Sequence, residues 1–317
     1  MKNKNIKLFI KIAGRILVIL SVIFVAYKIY KLGFDLSVVE DVPKFTGMSL
    51  IALVFNLLST LVLALAWGRW ISFFSKSKVN KLDAVTIYGK SAIGKYLPGN
   101  IMHYVERNLF AAEYGLSQKK IALSTVMEIV GMIVSSVLLS IILLPTSDKV
   151  KISETLGFDL GLVGLIAVIV VALIIVFGVL LIRKTGLYNV LKEYKFSDFI
   201  VSFLLALLAG IACLLLNGGG MVALWIGLQE IVPGISDMRH ILSSFSAAWV
   251  CGFVLPGAPG GIGVREAVLT VLLEDMVAGQ ILVFLIIAHR IICIIGDFAF
   301  FALVSLHKKA PQNAKEV

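Results

Sequence analysis

Residues 254–267 read VLPGAPGGIGVREA, a Pro- and Gly-rich break inside an otherwise apolar stretch. A second Pro-Gly break, YLPGN at 96–100, interrupts another apolar stretch that carries Lys90, Lys95 and Arg107. Whether the two breaks are ordinary loop ends or two halves of one site decides the fold. The surrounding composition is that of a membrane protein. Hydrophobic residues make up 59% of the chain and charged residues only 15%, against about a quarter charged in a soluble domain. Mean hydropathy is +1.00.

Six apolar runs, near 10–30, 48–68, 121–144, 159–182, 199–222 and 279–304, reach the roughly 18–20 residues that cross the hydrocarbon of a bilayer. The breaks divide two further regions, 84–113 and 241–277, into pieces of about 14 residues, roughly 21 Å long as helix. Such pieces are too short to cross, so each region is expected to form a re-entrant helical hairpin. The expected fold is an all-α polytopic membrane protein, one transmembrane domain over 1–317, with about six full spans and two hairpins. Eight spans is the alternative.

The start, MKNKNIKLFIKIAGR followed by ILVILSVIFVAY, is basic and then apolar with no small-residue cleavage site, which reads as an uncleaved signal-anchor. Its Lys11 and Arg15 can reach the headgroups. With this end in the cytoplasm, six crossings put 21 of the 29 Lys and Arg on inner segments and 7 on outer ones, with Arg290 mid-span. That is the inside-positive pattern of a plasma-membrane protein with both termini cytoplasmic. It accounts for the net charge of +10 without a nucleic-acid partner. Cys213, Cys251 and Cys293 all lie in apolar segments and read as small hydrophobes. No phosphate-binding Gly-Lys loop, HExxH or CxxC occurs, so no metal or other cofactor is expected. No soluble catalytic domain is expected beside the spans, and the tail HKKAPQNAKEV reads as a short cytoplasmic end.

Pro98 and Pro256 are 158 residues apart in a chain of 317. The same shift carries 84–108 onto 242–266 and 121–144 onto 279–302, and each Pro is followed nine positions later by an arginine, Arg107 or Arg265. Each arginine adjoins a carboxylate, Glu106 or Glu266. The reading is a repeat with halves 1–158 and 159–317, three crossings and one hairpin in each. An odd number of crossings inverts one half relative to the other, the plan of many transporters whose broken helices meet near the midplane.

Gly257, Gly260, Gly261 and Gly263 allow close approach of the backbone at the second tip. The following VREAVLTVLL reads as a helix start whose free N–H groups favour an anion, and Arg265 could grip a phosphate with its planar fork. Pairing of Arg265 with Glu266 in a plain helix–helix turn is the alternative. The first tip offers Lys95, Asn100, His103 and Arg107, although cytoplasmic basic residues also follow from topology alone. Charges within spans are costly and suspect: Glu128, and Arg290 beside His289 with Asp297 seven residues on. Arg290 needs a carboxylate, expected to be Glu128 or Asp297. The set reads either as a structural ion pair clamping the halves or as a gate.

The stretches GKYLPGN…ER and APGGIGVREA resemble the two signature stretches of the lysylphosphatidylglycerol synthase transmembrane-region family, flippase-like integral membrane proteins. The resemblance covers nearly the whole chain and matches Lys95, Pro98, Gly99 and Arg107, then Pro259, Gly260, Gly261, Gly263, Arg265 and Glu266. It implies a membrane part that moves a lipid across the bilayer. Larger members carry a fused synthase that this sequence lacks, so the lipid need not be aminoacylated; free-standing relatives associate with envelope polysaccharide and glycolipid pathways. The expected activity is therefore a flippase or transporter for cell-envelope biogenesis, with no catalytic residues. Its partner would be an anionic or phosphate-bearing lipid: a phospholipid, an aminoacylated phospholipid or a polyprenyl-phosphate glycolipid. Envelope-biosynthesis enzymes are possible further partners. Two other classes stay open: a membrane transferase using the outer-loop carboxylates Asp35, Glu40 and Asp41, and an ion or small-solute transporter using the buried charges.

Overall fold

A carboxylate opens the first long helix. Asp41 accepts the Lys44 backbone N–H at 2.8 Å, and Pro43 sits in the first turn, where no N–H is needed. The helix closes where Lys76 turns left-handed at φ 53° and bonds back to the Phe73 carbonyl. The computed structural model describes residues 38–96, 102–144, 194–229, 232–254, 261–276 and 279–307. In chain order its helices are α1 (Val42–Ser75), α2 (Lys81–Ala92), α3 (Met102–Glu113), α4 (Gln118–Leu143), α5 (Phe196–Leu228), α6 (Ile235–Val254), α7 (Val264–Leu273) and α8 (Gly279–Ser305). A 3-10 turn, Ile93–Tyr96, follows α2.

The protein is all-helical across the described residues, and α1, α4, α5 and α8 are long and apolar enough to cross a membrane. They coincide with four of the six apolar runs; the runs at 10–30 and 159–182 lie outside the described residues. Leu50, Val54, Leu58 and Leu65 leave an exposed apolar stripe along α1, the surface that suits lipid. Helices α2 and α3 flank one Pro-Gly break, α6 and α7 the other. The tips themselves, with Pro98, Gly99, Asn100, Pro256, Gly257, Pro259 and Gly260, are outside the described residues. Three of these four short helices have 10 to 12 residues, but α6 has 20. It is longer than expected because it includes a polar first turn, where Asp237 accepts the Gly234 N–H at 3.0 Å. Counting only apolar residues misses that turn.

Helices α1 and α5 pack along their length and run antiparallel. Near the start of α1, Phe45 and Met48 face Gly227 of α5, and Ala52 faces Gly220. At the other end Phe73 and Phe74 of α1 pack against Tyr194, just before α5, the first tilted and the second edge-on. A Cβ on Gly227 would stand 3.1 Å from the Phe45 Cα, so this seam depends on a small residue, as close helix crossings in membranes do. Serine hydroxyls join the other crossings. Ser135 donates to the Leu207 carbonyl of α5 at 2.9 Å, Ser136 to the Ser246 carbonyl of α6 at 2.6 Å, and Ser243 of α6 to the Ser140 carbonyl at 2.6 Å.

The order long, short, short, long occurs twice. Exchanging α1–α4 with α5–α8 maps the principal helix contacts onto one another: α1–α2 onto α5–α6, α2–α3 onto α6–α7, and α3–α4 onto α7–α8. The contacts between runs obey the same exchange, α4–α6 with α8–α2 and α4–α5 with α8–α1, while α1–α5 maps onto itself.

Candidate functional site

A cavity of about 200 Å³ lies where the two runs meet. One wall is apolar, with Leu63, Met132, Leu214, Phe245 and Ile286. Lys95, Arg107, Glu128, Arg265, Glu266, His289, Arg290 and Asp297 all line it. These residues come from α3, α4, α7, α8 and the turn after α2, so only the tertiary fold brings them together.

In the first run, Arg107 on α3 is 2% exposed. Its guanidinium pairs with Glu128 on α4 and lies 3.9 Å from the Tyr88 ring centroid, with Trp67 and Tyr104 at 5.4 and 5.6 Å. The Tyr88 hydroxyl donates to the other Glu128 oxygen at 2.7 Å. A buried ion pair holds only when its remaining hydrogen-bonding sites are filled, and Tyr88 fills one. In the second run the charges are exchanged: Glu266 on α7 pairs with Arg290 on α8 at 3.6 Å. This corrects the expected partner of Arg290, because Glu128 is held by Arg107 and Asp297 by Lys95. Glu266 also accepts the Gly263 N–H at 2.6 Å and so caps its own helix.

Arg265 does not pair with Glu266. Among the described residues it forms no ion pair, and its buried Nε has no hydrogen-bond partner. Its guanidinium lies over the Trp249 ring, 5.5 Å from the centroid. Two glycines clear the channel in which its stem lies. A Cβ on Gly252 would stand 2.5 Å from Arg265 Cγ, and one on Gly261 would stand 2.8 Å from Nε. Gly261 and Gly263 also hold φ of 73° and 85°, values that side-chain-bearing residues rarely adopt.

A third set of contacts crosses between the runs. Lys95 reaches Asp297 on α8 at 2.5 Å, and the Tyr96 hydroxyl donates to the same carboxylate oxygen. Asp297 is 1% exposed and its other oxygen is buried without a partner. Also on the cavity lining, Asn56 of α1 donates to the Asn217 side chain of α5 at 3.2 Å. The His289 Nε2 lies 2.9 Å from the Asn217 carbonyl. A carbonyl can only accept, so this nitrogen carries the proton.

The structure thus lines one cavity with Lys95, Arg107, Glu128, Arg265, Glu266, His289, Arg290 and Asp297, all nominated by the sequence, while Gly261 borders the Arg265 side chain and Gly263 caps α7. Asn100 and Gly260 lie outside the described residues. His103 lines the cavity, with Nδ1 buried and unpartnered. Sequence reasoning missed Tyr88, Tyr96, Trp249, Asn56 and Asn217. The two asparagines had a usable signal, being amides within long apolar helices; the aromatic partners are recognisable only once Arg107, Arg265 and Asp297 are placed. The three cysteines are free, and Cys213 is buried. Glu40 and Asp41 are exposed and stand outside the cavity lining, and Asp35 is outside the described residues. No protein-family model matches the chain, and no curated protein matches it.

Proposed function

We propose that this is a non-enzymatic lipid flippase or transporter that moves a phosphate-bearing lipid between leaflets of the plasma membrane, in the service of envelope biogenesis. The observation that carries the reading is Arg265: a cation without an ion-pair partner among the described residues, held in a glycine-cleared channel against Trp249 at a cavity between the two runs. A guanidinium so placed is suited to two oxygens of a phosphate. Only the polar headgroup needs a protected route, since the tails stay in hydrocarbon.

The proposed architecture is a pair of inverted halves, 1–158 and 159–317, with six spans, both termini cytoplasmic and each pair of short helices forming a re-entrant hairpin. Antiparallel α1 and α5, and the exchange relation among the helix contacts, support it. Alternating access would then come from one half rocking against the other, with the tips opening in turn. The resemblance to the lysylphosphatidylglycerol synthase transmembrane-region family adds to this reading through the motif residues.

The test is purified protein in liposomes carrying labelled phospholipids and polyprenyl phosphates in one leaflet. The wild type should move at least one of them, and Arg265→Ala should slow that movement. No movement across a broad panel, with uptake of soluble ions or solutes instead, overturns the lipid reading.

A further inference from the structure

Charge balance in the cavity carries the reading one step further. Its described walls hold four cations, Lys95, Arg107, Arg265 and Arg290, against three carboxylates, Glu128, Glu266 and Asp297. Each carboxylate is already matched: Glu128 to Arg107, Asp297 to Lys95 and Glu266 to Arg290. With the imidazoles neutral, one positive charge is left over, at Arg265.

Resting on the flippase reading, we propose that the transported headgroup is a phosphodiester with one net negative charge, selected over phosphomonoesters and diphosphates by this single surplus cation. A phosphodiester has two non-ester oxygens and one charge, which match the two parallel N–H groups and the one charge of a guanidinium. Its binding brings the described cavity to neutrality. A phosphomonoester carries about −1.5 to −2 near pH 7, and a diphosphate carries more. Either leaves surplus negative charge facing Glu128, Glu266 and Asp297 in a site walled partly by Leu, Met, Ile and Phe side chains. An unbalanced charge is costly in such surroundings. The apolar wall accepts the glycerol or isoprenoid carbons next to the phosphate equally well, so charge, not tail type, is the discriminating property.

The experiment uses the full chain in liposomes and measures leaflet exchange of acyl-labelled phosphatidylglycerol, a singly charged phosphodiester, and phosphatidic acid, a phosphomonoester. Wild-type protein should move the phosphodiester faster by about tenfold or more. Glu266→Gln and Asp297→Asn each raise the surplus from one to two. Both should shift the ratio toward phosphatidic acid, by about threefold or more. Two variants are used because each also loosens an ion pair, Glu266→Gln the one with Arg290 and Asp297→Asn the one with Lys95; either one, recovered as monodisperse protein, is sufficient. Equal rates for both lipids in the wild type, or a ratio unmoved by the added charge, overturns the charge rule while leaving a flippase. Movement of neither lipid, with uptake of soluble glycerophosphodiester instead, overturns the lipid headgroup as the ligand. Absence of all transport defeats the flippase reading itself.

Discussion

Arg107 and Arg265 each stand nine residues after the proline of a Pro-Gly pair, yet their surroundings are opposite. Arg107 is 2% exposed, neutralised by Glu128 and boxed by Tyr88, Trp67 and Tyr104. Arg265 is half-buried, touches one aromatic face and has no carboxylate partner among the described residues. The cause lies on the following long helix. In the first run α4 supplies a glutamate, but in the second α8 supplies Arg290, so Glu266 is drawn to α8 and Arg265 is left over. Each run keeps one clamp between its short and long helices. Exchanging the signs in the second run creates a surplus cation without losing the clamp.

The strongest way to break this comparison is to truncate both arginines. Arg107→Ala leaves Glu128 buried and uncompensated, which should cost about 3–5 kcal/mol, read as a large fall in the melting temperature of the detergent-solubilised protein. Replacing the pair together, with Arg107→Met and Glu128→Leu, should recover much of that loss, because apolar residues of similar size can substitute for a buried pair. Arg265→Ala should change stability by about 1 kcal/mol or less, since no ion pair is broken among the described residues, while slowing the proposed lipid movement. Equal stability losses for the two single variants would end the distinction between clamp and site.

A subtler break is Gly252→Ala. The added methyl meets Arg265 Cγ at 2.5 Å, so either the arginine stem shifts or the helices strain by about 1–3 kcal/mol. The expected result is a transport rate down by about tenfold with a melting temperature near wild type, on the view that small misplacements of a binding group are costly. A methyl at Gly131, which would meet Ala206 of α5 at 3.3 Å and is not among the cavity-lining residues, should leave the proposed lipid movement unchanged. Loss of transport there would point to general packing as the cause.

Part of the fold was legible because long apolar runs have few outcomes in a membrane: α4 and α8 start and end within three residues of the reading, while α1 and α5 run past it by up to seven residues. The site was legible in its members but not in its pairings. Glu266 adjoins Arg265 in sequence, yet consecutive residues on a helix point about 100° apart and do not face each other. Glu266 therefore turns to α8 and back to its own N-terminus. Asp297 was placed on the face of Arg290 by its seven-residue spacing, but its partners Lys95 and Tyr96 come from the other run, about 200 residues away. No local pattern encodes such a contact. The length of α6 was missed for a related reason, since its first turn is held by a cap and not by apolar burial.

The contact between Lys95 and Asp297 sharpens the comparison further, because it joins the turn after α2 to α8 while nothing comparable is described at Arg265. Lys95 is a third exposed and Asp297 is buried, so the pair sits at the edge of the cavity. A double-mutant cycle with Lys95→Met and Asp297→Asn, read by melting temperature, should give a coupling of about 0.5–3 kcal/mol. A coupling near zero would mean that Tyr96 alone ties the turn after α2 to α8.

The smallest effect belongs to a carboxylate outside both regions. Asp41 caps α1 through the Lys44 N–H and is exposed. Asp41→Ala should cost about 0.5–2 kcal/mol of stability, the ordinary loss for an N-cap, and Asp41→Asn or Asp41→Ser should restore most of it, because either side chain still accepts that hydrogen bond. Transport should be the same in all three variants. The distinction matters because a membrane transferase would need Asp41, or its neighbour Glu40, for chemistry that Asn and Ser do not replace. If Asp41→Asn stays stable but activity on a lipid-linked substrate disappears, the working end of the molecule is the start of α1. The contrast between Arg107 and Arg265 would then describe only how the helices are clamped.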